Sequence, residues 1–569
     1  MTGKHNTGIG SHSLAVNTGG QNTAVGRDAL AANTSASFNT AVGRSALSAN
    51  TEGNRNVAVG KDALRANTLG SRNVAVGESA LDALNLTTAT DSYNIGVGYF
   101  AGGSMTTGIY NVLIGGLSGD AITDADFNVA VGTNTLSANT LGSQNVAVGN
   151  AALNAVNPAT ATDMYNTAVG ASAGLSITTG TQNTIIGGLA GDALTIGQEN
   201  TVVGRSALTA ETAGRYIVAV GNGALGNQNN GGTGADVYNV AVGYAAGSAV
   251  TTGISNTFIG GEAGYSTTDA DYNTAVGHGA LHENQVGSRN TAVGFNCLYN
   301  SKPSSAANTN NTAMGYGAGS SITTGVDNTI FGANAGDQIT TAQQNTAIGY
   351  LALTTCNGDF NTAVGVGALN DTSSGTNNTG VGRLAGFDVS SGSNNIAIGV
   401  EALRSGSPGG PVTTGSNVIG LGDENISSFN CQVALTVASD ERDKTDFVDL
   451  DLGLDFVKAL EPVTYYWDKR SKYGDKHAEG YDLDAQTPDG THKEDWMDVG
   501  FKAQAVQALE NAAGYTESAK KNLTVASSND GKQLGLRYEK FIPILVKAIQ
   551  DQDAIIQSLT ARIAALEGE

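Results

Sequence analysis

The chain has 569 residues and a formal net charge of −22, with 51 Asp and Glu side chains against 29 Lys and Arg. A surface that binds phosphates needs a basic face, so this balance excludes nucleic acid as an expected partner. The three Cys form neither a CxxC pair nor a disulfide-rich pattern, and we expect no metal and no cofactor. Cys297 stands where the sequence usually has Ala and is predicted to be buried.

The charged residues divide the chain into two regions. Residues 1–438 carry 39 of the 80 Lys, Arg, Asp and Glu side chains, and residues 439–569 carry the other 41. Both Trp residues also lie in the second region. We therefore predict a boundary near residue 438.

A five-residue motif, Asn-x-Ala-Val-Gly, recurs through the first region. It occurs 23 times between Asn6 and Gly399, most often 17 residues apart. Its fifth residue is always Gly, and its first is Asn in every copy except one, where Ile217 stands. A fixed short period is typical of a solenoid, in which each repeat is one turn stacked on the last. The expected fold is mostly β, with a parallel β-solenoid or β-roll shaft of about 23 turns over residues 1–400.

Both faces of the motif are apolar. Side chains alternate along a strand, so the third residue (Ala24) and the fourth (Val25) point in opposite directions, and neither position is charged in any copy. A strand that is apolar on both faces is buried on both. A single solenoid buries only its inward face, so we infer that other copies of the chain cover the second.

The fixed Asn and Gly of the motif have separate expected roles. Asn at the same place in successive turns can form an amide ladder along the stack. Gly in fifth place permits a positive φ or a close approach of the neighbouring backbone.

Four intervals between motifs are longer than the rest, at 21 or 22 residues. They are expected to project from one side of the shaft, and together with a distal tip at 401–438 they are the candidate receptor-binding segments, because loops on a rigid scaffold commonly carry recognition. Aromatic residues just before the motif could stack on sugar rings or simply cover the edge of the roll. The long intervals are 84–93, 154–165, 227–238 and 299–310, and the aromatic residues are Phe38, Tyr93, Tyr110, Tyr165 and Tyr238.

The repeat resembles the head repeats of trimeric bacterial adhesins, which form a left-handed β-roll trimer. The resemblance covers residues 6–399, although the period here is a few residues longer. The sequence shows no signal peptide and no apolar run of the roughly 18 residues that a membrane span needs, so no membrane insertion is expected.

Beyond Gly399 the motif decays and the element types change. The connector 401–438 is predicted to contain a strand at Cys431–Val437. It is followed by an amphipathic helix at Leu450–Leu460 and a strand at Val463–Trp467. The last helix, about 541–567, has a seven-residue apolar repeat typical of a coiled coil. Its a positions are Ile542, Ile549, Ile556 and Ile563, and its d positions are Leu545, Gln552, Leu559 and Leu566.

Residues 439–569 resemble the intramolecular chaperone domain of peptidase S74 type found at the carboxyl end of phage tail fibres and tailspikes. The resemblance is carried by the opening Ser439–Lys444, by Val463–Trp467, and by the stretches 499–506 and 536–542. It implies a small α+β domain that promotes assembly of the fibre and then releases itself by cutting before its first Ser.

The resemblance also implies a self-cleavage site. The scissile bond would be Ala438–Ser439, with Ser439 as nucleophile, Lys444 as base, and Asp440 and Arg442 as supporting residues. A Ser and a Lys five residues apart share no face of a helix or strand, so a turn or a neighbouring chain must bring them together. The alternative is a capped helix start with a solvated Lys.

The number of chains is not settled by the heptads alone. Ile at a with Leu at d favours a dimer. The resemblance, together with the doubly apolar motif strand, favours a homotrimer, which is the state that we predict.

These observations predict a phage tail-fibre or receptor-binding protein, made in the host cytoplasm and carried in the virion, that adsorbs to the bacterial surface. Its expected partners are a surface receptor, expected to be a glycan, and other tail proteins. The alternatives are a tailspike-like polysaccharide depolymerase, which the lack of a carboxylate pair disfavours, and a cell-surface trimeric adhesin.

Overall fold

The computed structural model of the protein describes residues 3–232, 234–407, 409–432, 437–476, 478, 480–521, 523–528 and 530–568. It divides into two compact units, Met1–Thr341 and Ala342–Glu569.

The first unit is a stack of three-residue strands, one for each motif. Neighbouring strands pair in parallel and in register, so that Thr23, Ala24 and Val25 face Thr40, Ala41 and Val42. This confirms the solenoid predicted from the repeat. The strands in the described part of this unit are Thr7–Ile9, Thr23–Val25, Thr40–Val42, Val57–Val59, Val74–Val76, Ile95–Val97, Val112–Ile114, Val129–Val131, Val146–Val148, Thr167–Val169, Thr184–Ile186, Thr201–Val203, Val218–Val220, Val240–Val242, Thr257–Ile259, Thr274–Val276, Thr291–Val293, Thr312–Met314 and Thr329–Phe331.

The two faces of these strands differ in exposure. The third motif residue points inward and is fully buried, as at Ala24 and Ala41. The fourth points outward and remains partly exposed: Val42 is 36% exposed, Ile186 40% and Met314 46%. The solenoid therefore buries one apolar face and leaves a continuous apolar row on the other.

The motif Asn joins successive turns through its side chain. Asn39 Oδ1 accepts the backbone N–H of Asn56 at 2.9 Å, and Asn56 Oδ1 accepts that of Asn73 at 2.8 Å. Asn56 Nδ2 donates to the carbonyl oxygen of Gly70 at 2.9 Å. The expected ladder is present, and it runs largely through the backbone because each amide group satisfies a buried N–H or C=O that the turn leaves unpaired.

A second Asn ladder occurs eleven residues after the motif Asn. Asn50 Nδ2 donates to Asn33 Oδ1 at 2.8 Å, and Asn67 Nδ2 donates to Asn50 Oδ1 at 3.1 Å. All three side chains are buried. This ladder is discontinuous along the chain, since later turns place Met105 or Ile122 at the same position.

The fifth position of the motif requires Gly for two reasons, its positive φ and the close approach of the backbone of the next turn. Gly43 has φ +136°, and a Cβ there would lie 2.3 Å from the carbonyl oxygen of Gly60 in the next turn. No L side chain fits that geometry without displacing the backbone.

Core volume is conserved by paired substitutions between neighbouring turns. Eleven of the 23 turns carry Ala-Leu after the motif, as at Ala80-Leu81, whereas eight carry Ala-Gly, as at Ala101-Gly102. The space beside Gly102 is filled by Leu113, which replaces a motif Ala, and by the side chains of Leu81 and Met105. The alternation therefore keeps the interior filled.

Two of the long intervals form extra parallel ladders beside the main stack. Gly142–Ser143 pairs with Thr162–Asp163, and Gly287–Ser288 pairs with Ala307–Asn308. At the other two, isolated bridges join Ser71 to Asp91 and Arg215 to Asp236.

The second unit begins with more turns of the same kind. Its strands are Thr346–Ile348, Thr362–Val364, Thr379–Val381, Ile396–Ile398 and Ile419–Leu421. The last of these pairs with Ile396–Ile398 and extends the stack past residue 400, the predicted end of the shaft. The motif count misses this turn because Val418 replaces Asn and the spacing rises to 23 residues. The fourth-position row is exposed here also, with Ile348 at 39% and Ile398 at 45%.

The remainder of the second unit is a small α+β region. It contains helices α1 (Leu454–Ala459), α2 (Ala503–Ala512) and α3 (Phe541–Glu567). The antiparallel strand pairs are Pro462–Tyr466 with Met497–Phe501, and Val525–Ser527 with Leu534–Leu536; single 3₁₀ turns occur at Glu441–Asp443, Arg470–Lys472, Leu483–Ala485 and Tyr538–Lys540.

A compact apolar core joins the three helices and the second strand pair. Its members include Phe456 of α1, Val506 of α2, and Phe541 and Ile544 of α3. Helix α1 also uses α3 for its amino-terminal cap, because Asp551 Oδ2 accepts the N–H of Leu454 at 3.1 Å. The predicted helix at Leu450–Leu460 is thus confirmed in a shorter form.

Most of helix α3 projects an unpaired apolar face. The a-position residues Ile542, Ile549, Ile556 and Ile563 are between 51% and 65% exposed, and the d-position Leu545, Leu559 and Leu566 between 44% and 74%. The predicted helix is confirmed. The coiled coil remains a prediction, and the heptad face is free to form it.

Candidate functional site

The predicted cleavage site lies in exposed chain. Ala438 and Ser439 are exposed and precede the 3₁₀ turn Glu441–Asp443. The strand predicted at Cys431–Val437 falls mostly outside the described residues, because 433–436 are among those the structure does not describe. The site is therefore accessible on the surface of the second unit.

Asp440 and Arg442 build the turn that follows Ser439. Asp440 is the N-cap, and its Oδ1 accepts the backbone N–H of Arg442 at 2.9 Å. The Arg442 guanidinium returns to the same carboxylate, with Nη2 2.6 Å from Oδ2. These bonds from Arg442 lower the pKa of Asp440, so its carboxylate stays charged and bound to Arg442.

The turn brings Ser439 and Lys444 together. Lys444 Nζ lies 2.6 Å from Ser439 Oγ and 3.3 Å from the Ser439 carbonyl oxygen. The chain reverses within one 3₁₀ turn, which closes with the Lys444 N–H donating to the Glu441 carbonyl at 3.1 Å. Of the two means that could join residues five apart, the structure uses the turn.

Ser439 and Lys444 are the residue types of a nucleophile–base pair and lie in contact, but both are exposed to solvent. Both residues are exposed, and as placed the Lys444 ammonium donates to Ser439 Oγ. A Lys accepts a proton from Ser only when it is neutral, and burial is the usual means of making it so. The catalytic roles of these residues remain predictions.

Residues 439–515 match the family model described as Chaperone of endosialidase (peptidase S74). The carboxyl-terminal region carries a chaperone of endosialidase domain. The match begins at Ser439, the residue that the resemblance placed after the cleavage point. The searches of curated proteins and of solved structures gave no match. A β-solenoid followed by a chaperone of endosialidase domain fits a protein of phage tail-fibre or tailspike type, and the domain suggests trimeric assembly.

A buried ionic cluster between this domain and the last shaft turns was not anticipated from the sequence. Lys476 Nζ lies 2.8 Å from Glu424 Oε1 and 3.0 Å from Glu401 Oε2. Burial lowers the pKa of Lys476, but its hydrogen bonds with Glu424 and Glu401 outweigh that effect, and the net pKa is raised. The residue spacing gives no signal for this cluster, since its members lie up to 75 residues apart.

Two of the long intervals in the first unit are joined to a neighbouring turn of the shaft by an ion pair. Arg72 and Asp91 form an ion pair at 2.8 Å at the first long interval, and Arg215 and Asp236 form the equivalent pair at 2.8 Å at the third. Met164 points inward and is fully buried. These segments therefore offer ordered surfaces at regular heights, although their role in receptor binding stays a prediction.

Several of the aromatic residues before the motif stack on one another. Tyr93 and Tyr110 have ring centroids 5.6 Å apart, and Tyr110 and Phe127 are 5.1 Å apart with nearly parallel planes. Arg72 covers the ring of Tyr93. The faces of these rings are used within the protein, which favours the interpretation that they cover the edge of the roll over sugar stacking. Tyr165 differs, because it is 52% exposed and makes no ring contact within the described part of the chain.

Among the described residues, no helix combines the length and apolarity needed to cross a bilayer. Within the same part of the chain, no group of three or more His, Cys, Asp or Glu side chains is arranged to hold a metal ion.

Proposed function

We propose that the protein is the trimeric receptor-binding subunit of a phage tail fibre, assembled by its own carboxyl-terminal chaperone domain and adsorbing to a bacterial surface. The observation that carries the proposal is the chaperone of endosialidase match placed directly after a long β-solenoid. Such a domain has a physical purpose there, because long parallel β stacks form slowly and expose strand edges that aggregate.

Two exposed apolar surfaces support the trimer. The fourth-position row lies along the solenoid strands of each unit, and the heptad face lies along α3. Contiguous apolar surface of this extent is unusual on a monomer and marks an interaction site. Both surfaces repeat in register along the chain, which suits association with identical copies.

Maturation would proceed by attack of Ser439 Oγ on the carbonyl carbon of Ala438. Neutral Lys444 takes the Oγ proton, the C–N bond breaks, and the departing nitrogen gains a proton to become the amine of Ser439. The resulting ester is hydrolysed by water to a carboxylate on Ala438 and a free Ser439 hydroxyl. Because Lys444 is exposed in one chain, we propose that neighbouring copies bury it and thereby tie cleavage to assembly.

Intact-mass spectrometry, light scattering and cell binding test the proposal together. We expect a trimer that loses its 131-residue carboxyl-terminal fragment, and we expect the labelled protein to bind a subset of bacterial strains saturably. Binding should fall after periodate treatment if the receptor is a glycan. Shortened glycans after incubation would instead indicate a depolymerase, and a monomer would contradict the fibre.

A further inference from the structure

Lys476 connects the carboxyl-terminal region to two successive turns of the shaft within the second unit. Its Nζ contacts Glu401, which follows the strand Ile396–Ile398, and Glu424, which follows the last strand. Arg383, one turn earlier, adds Nη2 at 2.7 Å from Glu401 Oε1. Two carboxylates and two cations therefore balance, and the side chains of Lys476, Glu401 and Glu424 are only 16%, 4% and 8% exposed.

Two further lysines extend this contact toward solvent. Lys469 Nζ donates to the Glu424 carbonyl oxygen at 2.9 Å, and Lys472 Nζ donates to the Asn425 side chain. The three lysines follow one another at short intervals around the 3₁₀ turn Arg470–Lys472. They form a basic face that fits the polar end of the last turn.

Apolar packing contributes less to this junction. A cleft of about 370 Å³ remains open between Glu424 and Ile426 on the shaft side and Trp467 and Arg470 on the other. A junction with so much unfilled space depends on its polar contacts, because unfilled volume forfeits dispersion attraction. The Lys476 cluster is the most buried of these contacts.

The predicted cleavage point lies between the two sides of the junction. Glu401 and Glu424 belong to the piece ending at Ala438, and Lys476 belongs to the piece beginning at Ser439. Breaking that exposed peptide bond leaves all of these ionic contacts in place.

We propose that Glu401, Glu424 and Lys476 form an ionic lock that keeps the chaperone domain on the last shaft turn after the chain is cut, so that release requires the lock to open. The biological consequence rests on the proposed maturation, but the lock itself does not. Through this lock the chaperone domain binds the last turn of the shaft only when that turn is folded. Cleavage and release are then two separate steps.

The test uses the full chain with Ser439→Ala, to prevent self-cleavage, and a recognition sequence for a site-specific protease inserted between residues 438 and 439. After digestion, native gel filtration measures how much of the carboxyl-terminal piece co-elutes with the shaft. We expect co-elution with the lock intact and at least a tenfold fall in the retained fraction for Lys476→Met, because the buried carboxylate of Glu424 then has no cation.

Lys458→Met is the matched control, since Lys458 is exposed on α1 and pairs only with Asp455. Circular dichroism and the mass of the uncut protein verify folding, and Glu424→Gln replaces Lys476→Met if that variant does not fold. Separation of the pieces with the lock intact, or equal retention by Lys476→Met and Lys458→Met, overturns the proposal. Because an added protease makes the cut, a failure of self-cleavage is recorded separately.

Discussion

Lys444 Nζ lies 2.6 Å from Ser439 Oγ across a single 3₁₀ turn, with both side chains in contact with solvent. The distance is suited to proton transfer, whereas the pair lacks the burial that usually makes a Lys a base. If this pair performs the proposed cleavage, it needs a later change of environment to become active.

Replacing either member of the pair should stop the maturation cut or slow it greatly. Ser439→Ala removes the nucleophile and should leave the full-length mass of 57.4 kDa. Lys444→Arg keeps the charge but removes a usable base, and should slow cleavage by about 100-fold or more. Arg442→Ala should slow it only a few-fold, because this exposed side chain supports the turn without contacting Ser439. Intact-mass spectrometry over time distinguishes these outcomes, and rapid cutting of Lys444→Arg would exclude Lys444 as the base.

The repeat made most of the shaft predictable. One strand per motif, the inward Ala, the outward Val and the strained Gly all follow from a period that recurs 23 times, so each position is sampled many times over. The final helix was predictable for the same reason, since its heptads repeat four times.

Features that occur once were not predictable. Glu211 is fully buried near Ile217, the one motif position without Asn, and its Oε1 accepts the N–H groups of Thr212, Ala213 and Gly214. The Lys476 cluster is likewise a single long-range arrangement. Neither has a repeating signal, and both depend on side chains that only the folded chain brings together.

A methyl group at a fifth-position Gly should disrupt the stack locally. In Gly43→Ala the new Cβ would meet the Gly60 carbonyl at 2.3 Å while φ is +136°. We expect a loss of about 2 kcal/mol or more, seen as a lower midpoint in thermal unfolding and as new proteolysis near that turn. Gly116→Ala is the matched control, because a Cβ there meets nothing within 4 Å. Equal midpoints for the two variants would contradict the role assigned to the close backbone approach.

The motif Asn should resist even conservative replacement. Asn56 is fully buried, accepts the N–H of Asn73 and donates to the Gly70 carbonyl. Asn56→Leu leaves the N–H of Asn73 unsatisfied, while the Gly70 carbonyl keeps its bond from Asn67 Nδ2 at 2.9 Å, and should cost about 1–3 kcal/mol. The exposed Asn222→Leu should change stability much less. Thermal unfolding of both variants checks the difference, and a native-like Asn56→Leu would mean that water replaces the amide.

The three free cysteines should differ in reactivity. Burial raises the pKa of Cys297 and of Cys356 to about 12, while Cys431 is exposed. Since only the thiolate reacts, native protein at pH 8 should be alkylated at Cys431 alone, and at all three after denaturation. Peptide mapping of the labelled protein checks this directly.

The same two buried thiols should make stability depend on pH. Because the pKa of each is raised above its ordinary value of 9.0, the stabilisation from keeping the thiol protonated is complete below pH 9 and is lost as the pH rises toward 12.

The exposed fourth-position row provides the most direct test of the assembly. Val42 and Val59 are each 36% exposed, and Val76 is 37% exposed, on three successive strands. If identical chains cover this row, introducing charge there buries unpaired carboxylates at the interface. Val42→Asp combined with Val59→Asp and Val76→Asp should therefore convert a trimer into monomers or aggregates in light scattering and abolish resistance to SDS.

A control substitution away from the apolar row separates assembly from folding. Ser45 and Ser79 occupy the same place two turns apart and are half-buried outside the motif strands, and replacing them with Asn keeps a residue type that tolerates their positive φ. That variant should remain trimeric. Each Ala on the inward face stays buried in both variants, so circular dichroism of the solenoid should be retained wherever the chain still folds alone. Should the Asp variant remain a trimer of unchanged stability, the apolar row would be a free surface and the three-chain shaft would have to be abandoned.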